Sequence, residues 1–204
     1  RVKDFMNYQI TEVMQEYDPE LDQMLFYLPL SGSAFKKIYY DEGLDRAVSK
    51  FITSEDLVVP YETTDLQSAT RITHMIRQNV NDVRKLQASG FYRDIELVAS
   101  EEPQTAITEK VDEMEGLRPT AYNSTEIMTI LECHIDLDLP GFEDEREDGE
   151  PTGIKLPYIV TMEEDCSQIL SIRRNWEEND PLKTKRQYFV HYKFLPGLGF
   201  YGFG

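Results

Sequence analysis

Cysteine, histidine and tryptophan are scarce in this 204-residue chain, which has two, three and one of them. Cys133 and Cys166 form no Cys-x-x-Cys pair and have no spaced histidines nearby, so a zinc site or a disulfide framework has no support. Both are expected to be free, buried thiols. Basic residues are also short, with 21 Lys and Arg against 38 Asp and Glu for a net charge of −17. Nucleic-acid binding draws most of its affinity from Lys and Arg displacing counterions, so this surface as a whole is not expected to grip a phosphate backbone. No run approaches the roughly 18 apolar residues of a membrane helix. The start, Arg1-Val2-Lys3-Asp4, lacks the apolar core of a signal peptide. A soluble protein of intracellular origin with no membrane partner is expected. No G-x-S-x-G elbow, P-loop or H-E-x-x-H stretch occurs, which leaves enzymatic activity without positive support and no cofactor expected.

What is present is globular. Hydrophobic residues make up 40% and charged residues 29%, and 10 Phe and 12 Tyr give bulk enough for a core. The charge is uneven. Residues 1–100 carry 11 basic and 16 acidic side chains, residues 101–167 carry 4 and 19, and residues 168–204 carry 6 and 3. The acidity is a central block, and within it Glu143 to Glu150 reads as an exposed, mobile acidic loop. An Arg at the first position and an apolar run from Phe200 to Gly204 suggest a piece of a longer chain.

Helical spacing of Phe5, Tyr8, Val13 and Met14 predicts a first helix over Phe5–Glu16. Asp18-Pro19-Glu20 predicts a second, with Asp18 as cap and an apolar stripe of Leu21, Met24, Leu25 and Leu28 that stops at Pro29. Ala34–Tyr40, turning at Asp41-Glu42-Gly43 and returning over Ala47–Ile52, predicts a hairpin. Leu57–Pro60 reads as a short extended segment; Arg71–Gln78 alternates like a strand though the same stretch could pass as helix, and the strand reading is preferred because Asn79 suits the start of a fresh helix. Asn79 should then cap a helix carrying Val80, Val83 and Leu86, which ends at Ser89-Gly90. A short helix is expected over Ile107–Glu115. Ile127, Thr129, Leu131, Cys133, Ile135 and Leu137 fall on one face of a long alternating strand. Tyr158–Met162, Gln168–Arg173 and Gln187–Phe194 repeat the strand signal. The fold class is therefore α+β, with short helices and β-hairpins over residues 1–125 and an antiparallel meander sheet over 126–204, two parts that can belong to one compact domain.

Four constellations could carry chemistry. Glu132, His134, Asp136 and Asp138 share the other face of the long strand and could supply a divalent-metal site, though neighbours two apart are separated by roughly 6.5–7 Å, too far for one ion to gather all four. A solvated strand face is the plainer reading and no metal is expected. Gly197-Leu198-Gly199-Phe200-Tyr201-Gly202 is formally G-x-G-x-x-G, but it follows an antiparallel strand with no strand-helix-strand unit, and a flexible aromatic connector is expected instead. Arg173, Arg174, Lys183, Lys185 and Arg186 near Trp176 could touch phosphate or stack on bases. The ordinary alternative is that they pair with the acidic block. His74 and His191 alternate within apolar strands and read as packed side chains.

Several stretches together resemble one family. Tyr17-Asp18-Pro19-Glu20-Leu21-Asp22-Gln23-Met24, Leu30-Ser31-Gly32-Ser33-Ala34-Phe35-Lys36 and Ser54-Glu55-Asp56-Leu57-Val58-Val59-Pro60-Tyr61 are similar to portal proteins of tailed bacteriophages, of the podovirus P22-like type. So are Arg71-Ile72-Thr73-His74, Val83 to Tyr92 and the run His191 to Gly202. The resemblance implies a ring, usually of twelve subunits, at one capsid vertex, through which the terminase motor drives double-stranded DNA and on which the tail is built. It implies as partners other copies of the chain, the terminase large subunit, scaffolding and capsid proteins, tail adaptor proteins and, transiently, non-specific DNA. It also implies synthesis in the bacterial host cytoplasm, residence in the virion and no catalytic residues. The mixed helix and sheet content is similar to the outer wing of such a subunit, with Phe200, Tyr201 and Phe203 as candidate apolar contacts between copies. Two readings from other classes stand beside it: an acidic, non-enzymatic protein-binding module of another virion or host protein, and a metal-dependent hydrolase using the Glu132–Asp138 face.

Overall fold

A computed structural model describes residues 1–41, 43–97, 127–145 and 149–204. Among these lie three helices and eight strands in two antiparallel sheets, an α+β fold containing a strand meander. The helix expected over Ile107–Glu115 falls outside the described residues, as does the middle of the acidic loop.

The opening helix α1 spans Val2–Tyr8 and continues as a π-helical turn over Gln9–Val13. The Thr11 hydroxyl donates to the Asn7 carbonyl at 2.9 Å, a back-bond that competes with regular helical pairing. Helix α2 spans Tyr17–Ser31. It begins one residue before the expected cap, and this puts Pro19 in the first turn, where its missing N–H has no intrahelical partner to lose. Pro29 does not stop it. The helix carries the proline internally for two more residues and closes at Gly32, which takes the left-handed conformation (φ 74°) and donates to the Leu28 carbonyl at 2.9 Å.

Two compact units divide the chain. The first comprises residues 1–74, 133–159 and 174–204. In it, β1 (Ser33–Asp41) is the middle strand of a three-stranded sheet. On one side β2 (Arg46–Ile52) returns as the expected hairpin, running from Phe35 opposite Ile52 to Asp41 opposite Arg46. On the other side lies β8 (Phe189–Lys193), with Ser33 opposite Lys193 and Lys37 opposite Phe189. The strand expected over Gln187–Phe194 thus exists but leaves the meander for the first sheet. Phe35, Ile52, Leu57, Leu66, Ala69, Ile72, Phe189 and Phe200 form the core. Helix α2 and the residue before it meet β2 through two carboxylates and through Tyr27, whose ring stands edge-on to Phe51 at 5.5 Å. The Glu20 side chain accepts from the Phe51 N–H at 2.6 Å, and Glu16 pairs with Arg46 at 2.7 Å. These groups cover the open edge of β2.

The second sheet runs β3-β4-β5-β6-β7, with β3 at Leu57–Val58, β4 at Arg71–Asn79, β5 at Ile127–Leu137, β6 at Leu156–Glu163 and β7 at Ile169–Arg174. The second unit, residues 75–132 and 160–173, holds helix α3 (Val80–Ala88). Asn79 caps it as expected, its side chain accepting from the Asn81 N–H at 2.8 Å. Val80 and Val83 pack with Tyr92, Met128, Ile130 and Leu170. This departs from the expected pattern at the start of β5: Met128 and Ile130 are buried, whereas Ile127, on the face expected to be apolar, is 41% exposed; from residue 135 on the expected sense holds, with Ile135 and Leu137 half-buried and Asp136 exposed. The helix laid against the sheet selects the face, and strict alternation could not foresee it because both faces of β5 carry apolar residues. Thr129 is buried too, so this half of the strand is covered on both sides.

The burial at the start of β5 is directly testable. Ile130→Ala should cost about 2–5 kcal/mol as a fully buried aliphatic truncation. Ile127→Ala should cost less than about 1 kcal/mol. Chemical denaturation of the two variants reads both, and the opposite order would contradict the assigned face.

Candidate functional site

The strand face proposed for a metal does not present its residues together to solvent. His134 is buried, with its ring edge-on to Phe189 at 5.0 Å and to Tyr188 at 5.5 Å between centroids. Asp136 and Asp138 are exposed. Glu132 lies in the second unit, where it raises the Tyr92 phenol. That phenol is pushed up to about 12, mainly by burial and then by Glu132. The solvated-face reading is therefore corrected at His134. Among the described residues no three His, Cys, Asp or Glu side chains converge on a metal position.

The cysteines also depart from expectation. Both are free, but Cys133 is half-buried and Cys166 exposed. Cys166 sits in the β6–β7 turn, whose geometry is set by the buried Glu163 accepting from the Asp165 and Cys166 N–H groups at 3.0 and 2.7 Å. Desolvation of the sulfur and then the Glu163 carboxylate push its thiol up, so little thiolate is available for nucleophilic work.

The five basic residues proposed to meet phosphate are turned to partners within the chain. In the second unit the Arg173 guanidinium lies 3.5 Å over the Phe91 ring. In the first unit, Arg174 stands 5.7 Å from the Trp176 centroid, Lys183 pairs with Asp144, Lys185 donates to the Ala69 carbonyl at 2.9 Å, and Arg186 pairs with Glu177 at 3.0 Å. Lys183 lowers the Asp144 carboxyl from its ordinary range, helped by the Thr152 hydroxyl. The described part of the acidic loop is consequently pinned: Thr152 donates to Asp144 through both its amide and its hydroxyl, and Glu145 bridges to Pro151.

The C-terminal glycine-rich run is a packed loop, which corrects the expected flexible connector. Leu195 and Phe203 exchange backbone bonds, and the Gly202 N–H donates to the buried Ser33 hydroxyl at 2.8 Å. A methyl group on Gly202 would collide with the Gly32 and Leu195 carbonyl oxygens, so here the glycine permits a close backbone approach and cradles no phosphate. Of the three candidate contacts between copies, Phe200 is buried in its own core, its ring 4.7 Å from that of His191, which in turn stacks on Phe35 at 4.4 Å. Tyr201 and Phe203 remain largely exposed, with the Tyr201 hydroxyl donating to the Leu57 carbonyl at 3.3 Å.

His191 and Ser33 meet at 3.1 Å, a serine–histidine contact that no local motif announced. Ser33 is fully buried and already accepts from Gly202, so the pair clamps the loop to the start of β1 and has no route to substrate. His74 is half-buried with its ring edge-on to Phe189. Sequence reasoning missed a different cluster: Phe142, Tyr158 and Trp176 line a cleft with Glu143, Glu145 and Glu178. Its signal was only the single Trp beside Arg174. Among the described residues no helix is long and apolar enough to cross a membrane. The chain matches no protein-family model and no curated protein.

Burial, and then Lys193, push His191 down to about 4 from its ordinary 6.5. Below pH 6.5 the unfolded chain takes up a proton that the folded chain refuses, so this contribution to stability is complete above pH 6.5 and is lost as pH falls toward 4. NMR titration should show the His191 ring neutral at pH 5.5, and His191→Gln should flatten the loss of Tm between pH 6.5 and 4.5. A His191 midpoint near 6.5 would contradict the burial. Gly202→Ala should cost about 1–3 kcal/mol through overpacking.

Proposed function

We propose that this chain is a non-enzymatic structural part of a tailed-phage portal subunit, in the wing of a ring at the capsid vertex. The ring would be a conduit for genome packaging and ejection and a docking site for the terminase, scaffolding, capsid and tail adaptor proteins. This assignment places the protein in the virion after synthesis in the bacterial cytoplasm. The similarity of six sequence stretches to that family suggests the reading, and one structural observation carries it. The basic residues best placed to hold phosphate each have a partner within the chain, although Arg173, Arg174 and Arg186 lie exposed, and the chain carries a net charge of −17. A conduit must let a polyanion slide, and an acidic surface with its cations internally paired makes few of the contacts that release counterions and trap DNA.

A second observation supports assembly. Val2, Phe26 and Leu30 on α1 and α2 are 78%, 76% and 73% exposed, and Phe5, Met6, Tyr8 and Leu25 are also exposed. Large apolar side chains gathered on the opening helices mark surface that a partner covers. An acidic protein-binding module would use such surface equally well, and the two readings differ in whether the partner is a second copy of the chain.

Electron microscopy of the protein in the longest form that its gene encodes separates them. A closed ring, about twelve-fold by the family resemblance, is expected, and a strictly monomeric particle would overturn the portal reading. The double change Phe26→Ser with Leu30→Ser should shift the stability of the 204-residue chain by no more than about 1 kcal/mol, because both side chains are already in water. The same change should lower ring yield.

A further inference from the structure

We infer that the cleft formed by the loop after β5 and the segment after β7 binds a lysine or arginine side chain presented by an extended segment of a partner protein. The inference stands on the cleft alone and does not require the portal reading. Its volume is about 630 Å³, enough for a side chain and its flanking backbone. Tyr158 is buried in β6 and meets Trp176 edge-on, 5.3 Å between centroids. Phe142, from the loop after β5, is 62% exposed and completes an aromatic wall. Trp176 is set by Asn175, which is fully buried, donates its N–H to the Pro157 carbonyl at 2.9 Å and accepts from the Arg186 N–H at 3.0 Å.

The charge around this wall selects the ligand. Glu143, Glu145 and Glu178 line the cleft, and among the described residues no ion pair engages their carboxylates. Glu143 is held ionised by backbone N–H groups, its own and that of Gly141 at 2.7 Å. Lys183 also lines the cleft but is neutralised by Asp144, which leaves Arg174, held over Trp176, as the one cation of the lining with no carboxylate partner among the described residues. A phosphate or carboxylate ligand would therefore face three carboxylates for one guanidinium. An incoming cation finds the reverse, together with ring faces that attract it. Arg174 already stands over Trp176, so a cation of this chain uses the same wall. Aromatic rings flanked by carboxylates suit a long basic side chain, whose methylene stem packs on the rings while its head meets the acids.

Trp176 is the chain's one tryptophan, so its emission and its indole N–H resonance report on the cleft directly. The 204-residue chain would be titrated with capped penta-arginine, penta-lysine and penta-glutamate peptides at about 0.15 M salt, where long-range attraction is screened. Saturable changes are expected with the two basic peptides and none with penta-glutamate. Combining Glu143→Gln, Glu145→Gln and Glu178→Gln should weaken binding about tenfold or more, as should Phe142→Ala. A control with the same charge change at exposed positions of the first unit, Glu12→Gln, Glu55→Gln and Glu62→Gln, should weaken it less than about twofold. Equal weakening by the two triple variants would reduce the effect to general attraction and overturn the site, as would unchanged emission and indole resonance at millimolar peptide. Ring formation is unaffected by these outcomes, so failure here and failure of the portal reading are distinguishable.

Discussion

Strand β1 has to satisfy both of its edges at once. Ser33, Ala34, Phe35 and Lys36 are all buried, and a buried strand cannot leave its N–H and C=O groups to water. One edge is met cheaply by the adjacent hairpin strand β2. The other is met only by β8, more than 150 residues further along, so the first sheet closes when the end of the described chain returns to its beginning. The Gly32–Gly202 approach, the Ser33 hydroxyl accepting from Gly202, and the Phe35–His191–Phe200 stack all lie at that closure. The interior segments contribute to the first unit around this junction, and its core is built from both ends of the chain.

This dependence explains which parts of the fold the sequence makes legible. Local signals succeed: the Asn79 cap, the Asp41 turn and the β1–β2 hairpin are set by residues a few positions apart. The strand over residues 189–193 is legible as a strand, but its partner is not, because pairing across such a separation leaves no local periodicity. The burial of Met128 and Ile130 at the start of β5 is missed for a related reason, since they are as apolar as Ile127 and Leu131 and a distant helix decides between them. Phe200 looked like an interface side chain because its neighbours are aromatic and glycine-rich, and only the folded loop shows it stacked on Phe35. The pairing of Lys183 with Asp144 was legible as a class of interaction, acid with base, but not as a pair.

Charge patterning then acquires a structural meaning. The acidic middle and the basic end of the sequence do not simply coexist on the surface. Lys183 reaches back to Asp144, Arg186 to Glu177 and Arg46 to Glu16, so cations are consumed locally while the excess of acids is left outward. Under the proposed reading such a chain would make few contacts to polyanions and would meet basic partners, and the cleft beside Trp176 brings three carboxylates and three aromatic rings together. The same arithmetic of signs thus disfavours one class of ligand and favours another.

The opening helices follow a different logic from the rest of the first unit. Helix α2 is fastened to the edge of β2 by Glu16 and Glu20 and inserts only Met24 fully into the interior. Polar fastening of that kind orients a helix without using up its apolar side chains, and Leu25, Phe26 and Leu30 are left in water. Each such side chain forgoes roughly 1.5–3 kcal/mol that burial would provide. Selection for stability of the isolated chain would place polar residues at these positions at little cost. Their exposure, on helices held against a sheet edge, fits the proposed use of the α1–α2 end as a surface for association, while at the C-terminal aromatic loop Phe200 is already committed to the core and Tyr201 and Phe203 stay exposed.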